Sequence, residues 1–574
     1  MAAKSKVLFA GDFSAWISRR ASLGVIFLIV ASYIVLATIN AQADGFLVND
    51  QGSKFLQVQA LVRSGWRDAA IEYPGRVFDP AGDFSPLKQA VFFRRGDEFV
   101  SIYLTPYLLL VSTLYALFGD LGLYIVSSAA GAVVICLSAV LGRLAITRDG
   151  VPLAMIATGL ASPVFFYATE FWEHAAAASL AIVGLCLFLS DRRLGWFVSG
   201  LCWGVGAACR PEVLMFGLAA VIAVAVARVE KVERFAYALL SMGMVLLPVM
   251  VYYRLAFGTW LGPQFVANSP RGASLMDLLR SWWGAWPVRM RMLLAGGIQS
   301  WGLVLGLALI IVLKYALRRW PSVVMSVACV WTIGISALAL ASVVRGEYPD
   351  AVLTCFPFAA FAIVAWLMPR DDAGELSPVR LWAYVAGLYV LLALMIVPNA
   401  GGRQWGPRYL LPVFPLLALL AVYAFQRVMR SASSVLRRLG LVAFAISLAV
   451  GVGVQAIGLL MSVGRVGNTA LVQAVRAAPG EIIVAEKNYV STLAAKTFDE
   501  RLWFTVSDLS RLDAFLEGLQ ISEETPIVFV VEMGSEPRIS VRLLEEGCSL
   551  TDQVAIGQAR PPLLMLYATC GSSE

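Results

Sequence analysis

The sequence predicts a polytopic α-helical membrane protein that ends in a small soluble α/β domain. Three observations lead there. Of its 574 residues, 59% are hydrophobic and only 14% are charged, where a soluble globular chain is about 25% charged. Its apolar residues gather into runs long enough to cross a bilayer, and the mean hydropathy of the chain is +0.76. Beyond residue 463 the pattern changes to short apolar runs alternating with helical stretches.

A hydrocarbon core about 30 Å thick takes about 20 apolar residues of helix. Fourteen segments approach that length, roughly 22–42, 102–119, 121–143, 151–168, 173–190, 194–209, 211–227, 235–254, 298–316, 321–343, 351–368, 381–398, 408–426 and 438–462. Lys and Arg in short loops set the orientation, because such loops stay cytoplasmic. Arg19 and Arg20 put the N-terminus inside. Arg192 and Arg193, then Arg228, Lys231 and Arg234, then Lys314, Arg318 and Arg319, then the four arginines from Arg427 to Arg438 mark later cytoplasmic turns. With Arg143–Arg148 also inside, only one net crossing fits between 102 and 143, so one of the two segments there is expected to be interfacial or re-entrant. About thirteen crossings result, with the C-terminus outside. Ala41-Gln42-Ala43 resembles a signal-peptidase site, but the preceding apolar run exceeds a usual signal core, which favours an uncleaved first helix.

The expected organisation is therefore a membrane domain over 1–463 and an external domain over 464–574. The net charge of +7 is spread through short loops rather than clustered on one face, which excludes nucleic acid as a partner and fits a lipid bilayer. Two external loops are too long to be turns. In 43–101, Phe55, Val58, Val62 and Trp66 recur at helical spacing, as expected of a helix lying on the membrane surface. In 255–297, Trp260, Trp282, Trp283 and Trp286 accompany Arg280, Arg289 and Arg291, a composition that anchors chains at the interface and can hold a phosphate headgroup.

In the tail, 482–486, 502–506, 526–532 and 563–568 read as strands, and helices are expected near 489–496, 508–519 and 538–546. No glycine-rich phosphate loop follows any of these strands. Six of the eight cysteines sit in apolar segments, where a thiol acts as a small hydrophobe. Cys548 and Cys570 lie in the polar tail. They are a candidate disulfide if the tail faces an oxidising compartment, and two unrelated thiols otherwise.

Charged residues at the edge of a membrane domain are costly to keep and draw attention. Asp50, in VNDQGSKFLQ, follows the first apolar segment and is placed to act as a general base; the bland alternative is a helix N-cap. Lys54 stands four residues on. Glu170, Glu173 and His174, the chain's one histidine, lie within about one helical turn before segment five. Two carboxylates and one imidazole make an incomplete metal site, which Asp50 would complete as a fourth ligand. Arg403 and Arg408 open segment thirteen at headgroup level, where a guanidinium grips phosphate or simply snorkels.

Taken in order, these pieces resemble the GT-C superfamily of membrane glycosyltransferases. That group includes protein mannosyltransferases, the aminoarabinose transferase of lipid A, and bacterial arabinosyl and mannosyl transferases. An acidic residue follows the first helix in a long external loop. SIYLTPYLLLVSTLYALFG (101–119) looks like the family's proline-containing segment, and SPVFFYATEFWEH (162–174) like its segment ending in an acidic residue. GLCWGVGAACRPEVL (200–214) looks like its glycine-rich short helix with a following basic residue. YYRLAFGTWLGPQ (252–264) and GPRYLLPVFPLLALL (406–420) complete the series.

The resemblance implies an inverting transfer from a polyprenyl-phosphate sugar donor to a glycan, lipid or protein acceptor at the external face of a bacterial inner membrane. It implies Asp50 as the base and Arg403 or Arg408 at the donor phosphate. Lys54, Glu170, Glu173 and His174 are substrate or metal candidates. Where many relatives carry Asp before helix five, this chain has Glu173-His174. Some branches bind a divalent ion and others do not, so no cofactor is fixed. The rival reading, a transporter or flippase for a lipid-linked saccharide, needs polar residues near the bilayer midplane, whereas the titratable residues here cluster at helix ends.

Overall fold

The structure is a computed structural model that describes residues 20–227, 232–264, 276, 283–284, 286–294, 298–316, 321–367, 377–396, 405–431, 433–463, 466–519, 525–556 and 562–570. The chain divides into two compact units. One gathers Met1–Ala37, Tyr124–Tyr252 and Pro270–Leu459, and the other Thr38–Leu123, Tyr253–Ser269 and Leu460–Glu574.

Among the described residues, seven helical stretches are long and apolar enough to cross a membrane, and four further apolar helices run 10–17 residues. Several of the expected segments are thus broken or short, and proline supplies the local reason. Segment 151–168 splits into the helices Gly150–Gly159 and Val164–Thr169 around Ser162-Pro163, because the residue before a proline avoids the α conformation. Segment 351–368 breaks between Val352–Cys355 and Ala360–Leu367 at Pro357. Such breaks survive where the freed backbone finds a protein partner. Here Gln455 donates to the Cys355 carbonyl at 2.7 Å and accepts from Trp405 Nε1 at 3.1 Å.

In the first unit, His174–Phe188, Arg193–Cys209 and Glu212–Ala227 pack around Trp203. Its indole donates to the Ala181 carbonyl at 3.1 Å. A methyl group on Gly184 would stand 2.3 Å from Trp203 Nε1, so the glycine is what lets the ring in. Tyr33, on the helix Arg20–Ala41, similarly donates to the Gly159 carbonyl at 2.9 Å.

The region 102–143 forms two helices, Pro106–Phe118 with 13 residues and Gly122–Gly142 with 21. At 1.5 Å per residue they measure ~20 Å and ~31 Å. Only the second matches a hydrocarbon core of ~30 Å. The first helix ends at Gly119, which has φ +59°, and a methyl on Gly122 would lie 2.3 Å from the Leu114 carbonyl oxygen.

The second unit is built on a five-stranded sheet. Its strands are β3 (Ile482–Ala485), β4 (Leu502–Thr505), β5 (Thr525–Glu532), β6 (Ser549–Ile556) and β7 (Leu563–Cys570), numbered after the hairpin β1 (Phe92–Arg95) and β2 (Glu98–Ser101). The order is β4-β3-β5-β7-β6, with β3 parallel to β4 and β5, and β7 antiparallel to β5 and β6. β6 is the strand that the sequence did not announce. It is a polar edge, exposed from Thr551 to Ala555, with no apolar run to mark it. A disulfide joins Cys548 to Cys570, tying the start of β6 to the end of β7.

The other edge is covered by the loop 43–101. Thr505 N–H donates to the Phe84 carbonyl at 2.8 Å, Tyr73 packs edge-on against Phe504, and Phe84 against Phe515. The loop 43–101 therefore folds with the tail, because its apolar residues find their partners there.

The expected surface helix is corrected in this setting. The helix Asn49–Arg63 is buried along Gln51–Val58 and at Leu61. Phe55 packs on Phe46 and Tyr115 rather than lying as one face of a lipid-facing stripe. Trp66 falls beyond the helix end, at φ 60°.

Candidate active site

Each unit brings together one set of the residues singled out in the sequence. In the second unit, Asp50 lies in the first turn of the helix Asn49–Arg63, whose N-cap is Val48 in an extended conformation. The capping alternative is thereby removed: Asp50 is inside the helix, where the positive end of the macrodipole favours a carboxylate. It is half-buried, and the Ser53 hydroxyl donates to its backbone carbonyl at 3.0 Å. Gln51 Oε1 accepts the Leu47 N–H at 3.0 Å, closing the chain just ahead of the turn. Lys54 shares the Asp50 face, four residues on. Although only 1% exposed, its ammonium sits 4.4 Å above the Tyr103 ring, an arrangement in which the ring's negative face partly replaces lost hydration.

The first unit holds the other set. Glu170 closes the helix Val164–Thr169 and is fully buried, and its carbonyl accepts the Trp172 N–H at 2.8 Å. Glu173 is the N-cap of His174–Phe188, and its carboxylate accepts from Arg210 Nη1 at 3.1 Å. Arg210 also donates through Nη2 to Glu212 at 2.6 Å. This guanidinium, 4% exposed, is the centre of the cluster. Burial works against its charge, and the carboxylates of Glu212 and Glu173 more than offset that, holding its pKa above the ordinary value.

Arg210 lies 5.3 Å from the Tyr409 ring, and Arg408 lies 5.4 Å from the same ring. Tyr389 donates to the Tyr409 carbonyl, which fixes that residue in the 3-10 turn Arg408–Val413. The His174 ring lies 5.0 Å from the Tyr167 ring, tilted against it, and meets Trp172 edge-on at 5.9 Å.

Among the described residues no three His, Cys, Asp or Glu side chains converge to hold an ion. The physical reason is visible at Glu173, whose carboxylate already faces a guanidinium, an occupant that a divalent cation would have to displace. Arg403 lies outside the described residues. Arg210, Glu212 and Tyr409 were not among the residues chosen from the sequence. Their signal was present in the Arg-Pro-Glu that interrupts two apolar runs at 210–212.

No protein-family model matches the chain, and no curated protein matches it in sequence. Solved structures do. ArnT from Cupriavidus metallidurans, crystallised with undecaprenyl phosphate and in the apo state, is 14% identical with a TM-score of 0.50, covering 95% of this chain and 98% of that one. The AglB oligosaccharyltransferase of Archaeoglobus fulgidus is 12% identical with a TM-score of 0.48, covering 92% of this chain and 72% of that one. At 14% identity the likeness to ArnT concerns the fold. It is a GT-C fold, the one that the ordered motifs led us to expect.

Proposed function

We propose that this GT-C fold serves an inverting glycosyltransferase, which moves a hexosyl or pentosyl group from a polyprenyl-phosphate donor to a glycan, lipid or protein acceptor of the cell envelope. The observation that carries the reading is likeness of fold to ArnT along nearly the full length of both chains. That protein was crystallised with undecaprenyl phosphate bound. Fold alone does not set chemistry, so the residues must supply it.

In this scheme the acceptor hydroxyl oxygen attacks the anomeric carbon on the face opposite the phosphate. The carbon–oxygen bond to the phosphate breaks as the new glycosidic bond forms, and its electron pair leaves with the polyprenyl phosphate. Asp50 takes the proton from the acceptor hydroxyl. Arg408, with Arg403 as second candidate, holds the phosphate oxygens and stabilises the charge that develops there. Lys54 offers an ammonium on the Asp50 face of its helix for a phosphate or hydroxyl oxygen. Arg210 is a positioning residue: clamped by Glu173 and Glu212, it supports the Tyr409 ring on which Arg408 also rests. Glu170 and His174 are assigned no step. The enzyme would act in a bacterial inner membrane, with its N-terminus in the cytoplasm and its tail outside.

The test is Asp50→Asn in purified, reconstituted protein supplied with polyprenyl-phosphate sugars. Loss of a general base lowers turnover by ~10²–10⁴-fold. Full retention of transfer would remove Asp50 from the mechanism. Movement of lipid-linked saccharide across the bilayer without any transfer would establish the transporter instead.

A further inference from the structure

The sequence leaves the C-terminal domain without a task. Within the second unit, one group of its contacts falls on residues 43–63, on both sides of Asp50. Ahead of it, Lys496 Nζ donates to the Ala43 carbonyl at 2.8 Å and pairs with Asp120 at 2.6 Å. Phe46 donates its N–H to the Leu493 carbonyl at 3.0 Å, and its own carbonyl accepts from Asn468 Nδ2 at 2.6 Å. One residue before Asp50, Asn49 hydrogen-bonds the buried Thr492 hydroxyl at 2.6 Å. Two residues after it, Gly52 lies so close that a methyl group there would stand 1.8 Å from the Thr492 carbonyl oxygen. At the far end of the helix, Arg63 forms a two-pronged ion pair with Asp499.

Gly52 in the first turns of a helix costs about 1 kcal/mol relative to Ala. Its helix is packed on all sides there, and the position tolerates no side chain. That expense is explained by the Thr492 backbone, which needs the space. The contacting residues Tyr489–Thr497 form the crossover between the parallel strands β3 and β4, a rigidly connected part of the sheet.

We infer that the C-terminal domain is a positioning device for the catalytic carboxylate: its Tyr489–Thr497 crossover clamps the turn that carries Asp50, through Thr492 against Asn49 and Gly52. The inference rests on Asp50 being the base proposed above. A base must stand within hydrogen-bond reach of the proton it removes, and an ångström of displacement costs up to ~10²-fold in rate. Thr492 touches no reacting atom; it acts through Asn49 and Gly52.

The experiment compares the full-length protein with Thr492→Val, Thr492→Ser and Gly52→Ala, reconstituted and assayed with polyprenyl-phosphate sugars, alongside hydrogen exchange of the amides of residues 47–54. Thr492→Val and Gly52→Ala are expected to raise exchange over 47–54, leaving the amides of Glu212–Ala227 unchanged. They are also expected to lower kcat by ~10–10²-fold, with the donor KM held within about twofold and the acid limb of the kcat–pH profile displaced. Thr492→Ser, which keeps the hydroxyl, restores both. A variant that merely loses folded protein lowers the whole profile without moving the limb, and that result overturns the inference. So does unchanged exchange over 47–54. If Asp50→Asn keeps full activity while the exchange still rises, the clamp stands and the catalytic role of Asp50 is what has failed.

Discussion

The two units hold the charges singled out in the sequence in different settings. In the first, Arg210 is buried between Glu173 and Glu212, and the charge is satisfied by direct ion pairs. In the second, Asp50 is half-buried, and its place is fixed by hydrogen bonds to the residues around it. The contrast has a physical origin. A charge deep among apolar helices has no water to fall back on, so a missing partner leaves the full desolvation cost. If Asp50 is the base proposed above, its carboxylate must reach the proton of the acceptor hydroxyl, so the backbone that carries it has to be aimed.

The largest effect should come from breaking the first arrangement. Arg210→Met leaves two acidic side chains facing each other without their cation, and loss of one partner from a buried pair costs about 3–5 kcal/mol. Thermal unfolding in detergent should show that loss. If Arg210→Met is as stable as the parent, the cluster is not the structural centre described here. Next comes the tail. Replacing Cys548 and Cys570 by Ser opens a loop with a sequence separation of 22, for which chain entropy gives about 3 kcal/mol. The loss should appear in the unfolding of the second unit. Equal stability under reducing and non-reducing conditions would contradict it.

The same contrast explains what was legible in the sequence. Membrane helices and the α/β tail could be read because hydrophobic length and strand–helix alternation are local signals. Asp50 and Glu173 could be singled out because an acid at the edge of an apolar run is conspicuous. Arg210 stood out only as the basic residue after a glycine-rich helix, since nothing local says that Glu173, 37 residues earlier, is its partner. The clamp on Asp50 was illegible for the same reason: Thr492 and Asn49 are 443 residues apart, and each is unremarkable alone. β6 escaped notice because an exposed edge strand needs no apolar face. The helix breaks were read as continuous segments because apolar length outweighed Pro163 and Pro357, and Gln455 satisfying Cys355 is a tertiary fact, 100 residues away.

A smaller effect is expected where the second unit does use ion pairs. Arg63 and Asp499 are 48% and 33% exposed at their side chains, and pairs so placed are worth about 0–1 kcal/mol. Arg63→Ala should change stability by no more than that, and should leave exchange over 47–54 close to the parent. A large change in either would move the weight of the clamp from Thr492 to the far end of the helix.

The smallest expected effect separates the units by the sign of their response to pH. Asp350, half-buried ahead of the helix Val352–Cys355, has its carboxyl pushed up by burial, with Arg291 only partly opposing. Its folded pKa lies above the unfolded one, so folding favours the protonated form. The stability it contributes is complete below the ordinary Asp value of about 3.9 and is lost as pH rises through the raised value. Asp83 in the second unit is the reverse case: Lys88, 2.9 Å away, holds its carboxyl below the usual range. Its contribution is present above the ordinary value and is lost as pH falls through the lowered one. Asp350→Asn should therefore flatten the decline in melting temperature between acidic and neutral pH. Lys88→Ala should weaken the protein only above the acid range, and less so in high salt, because that pair is exposed and screened. If both variants tilt the pH–stability curve in the same direction, the division between burial in one unit and surface pairing in the other does not hold.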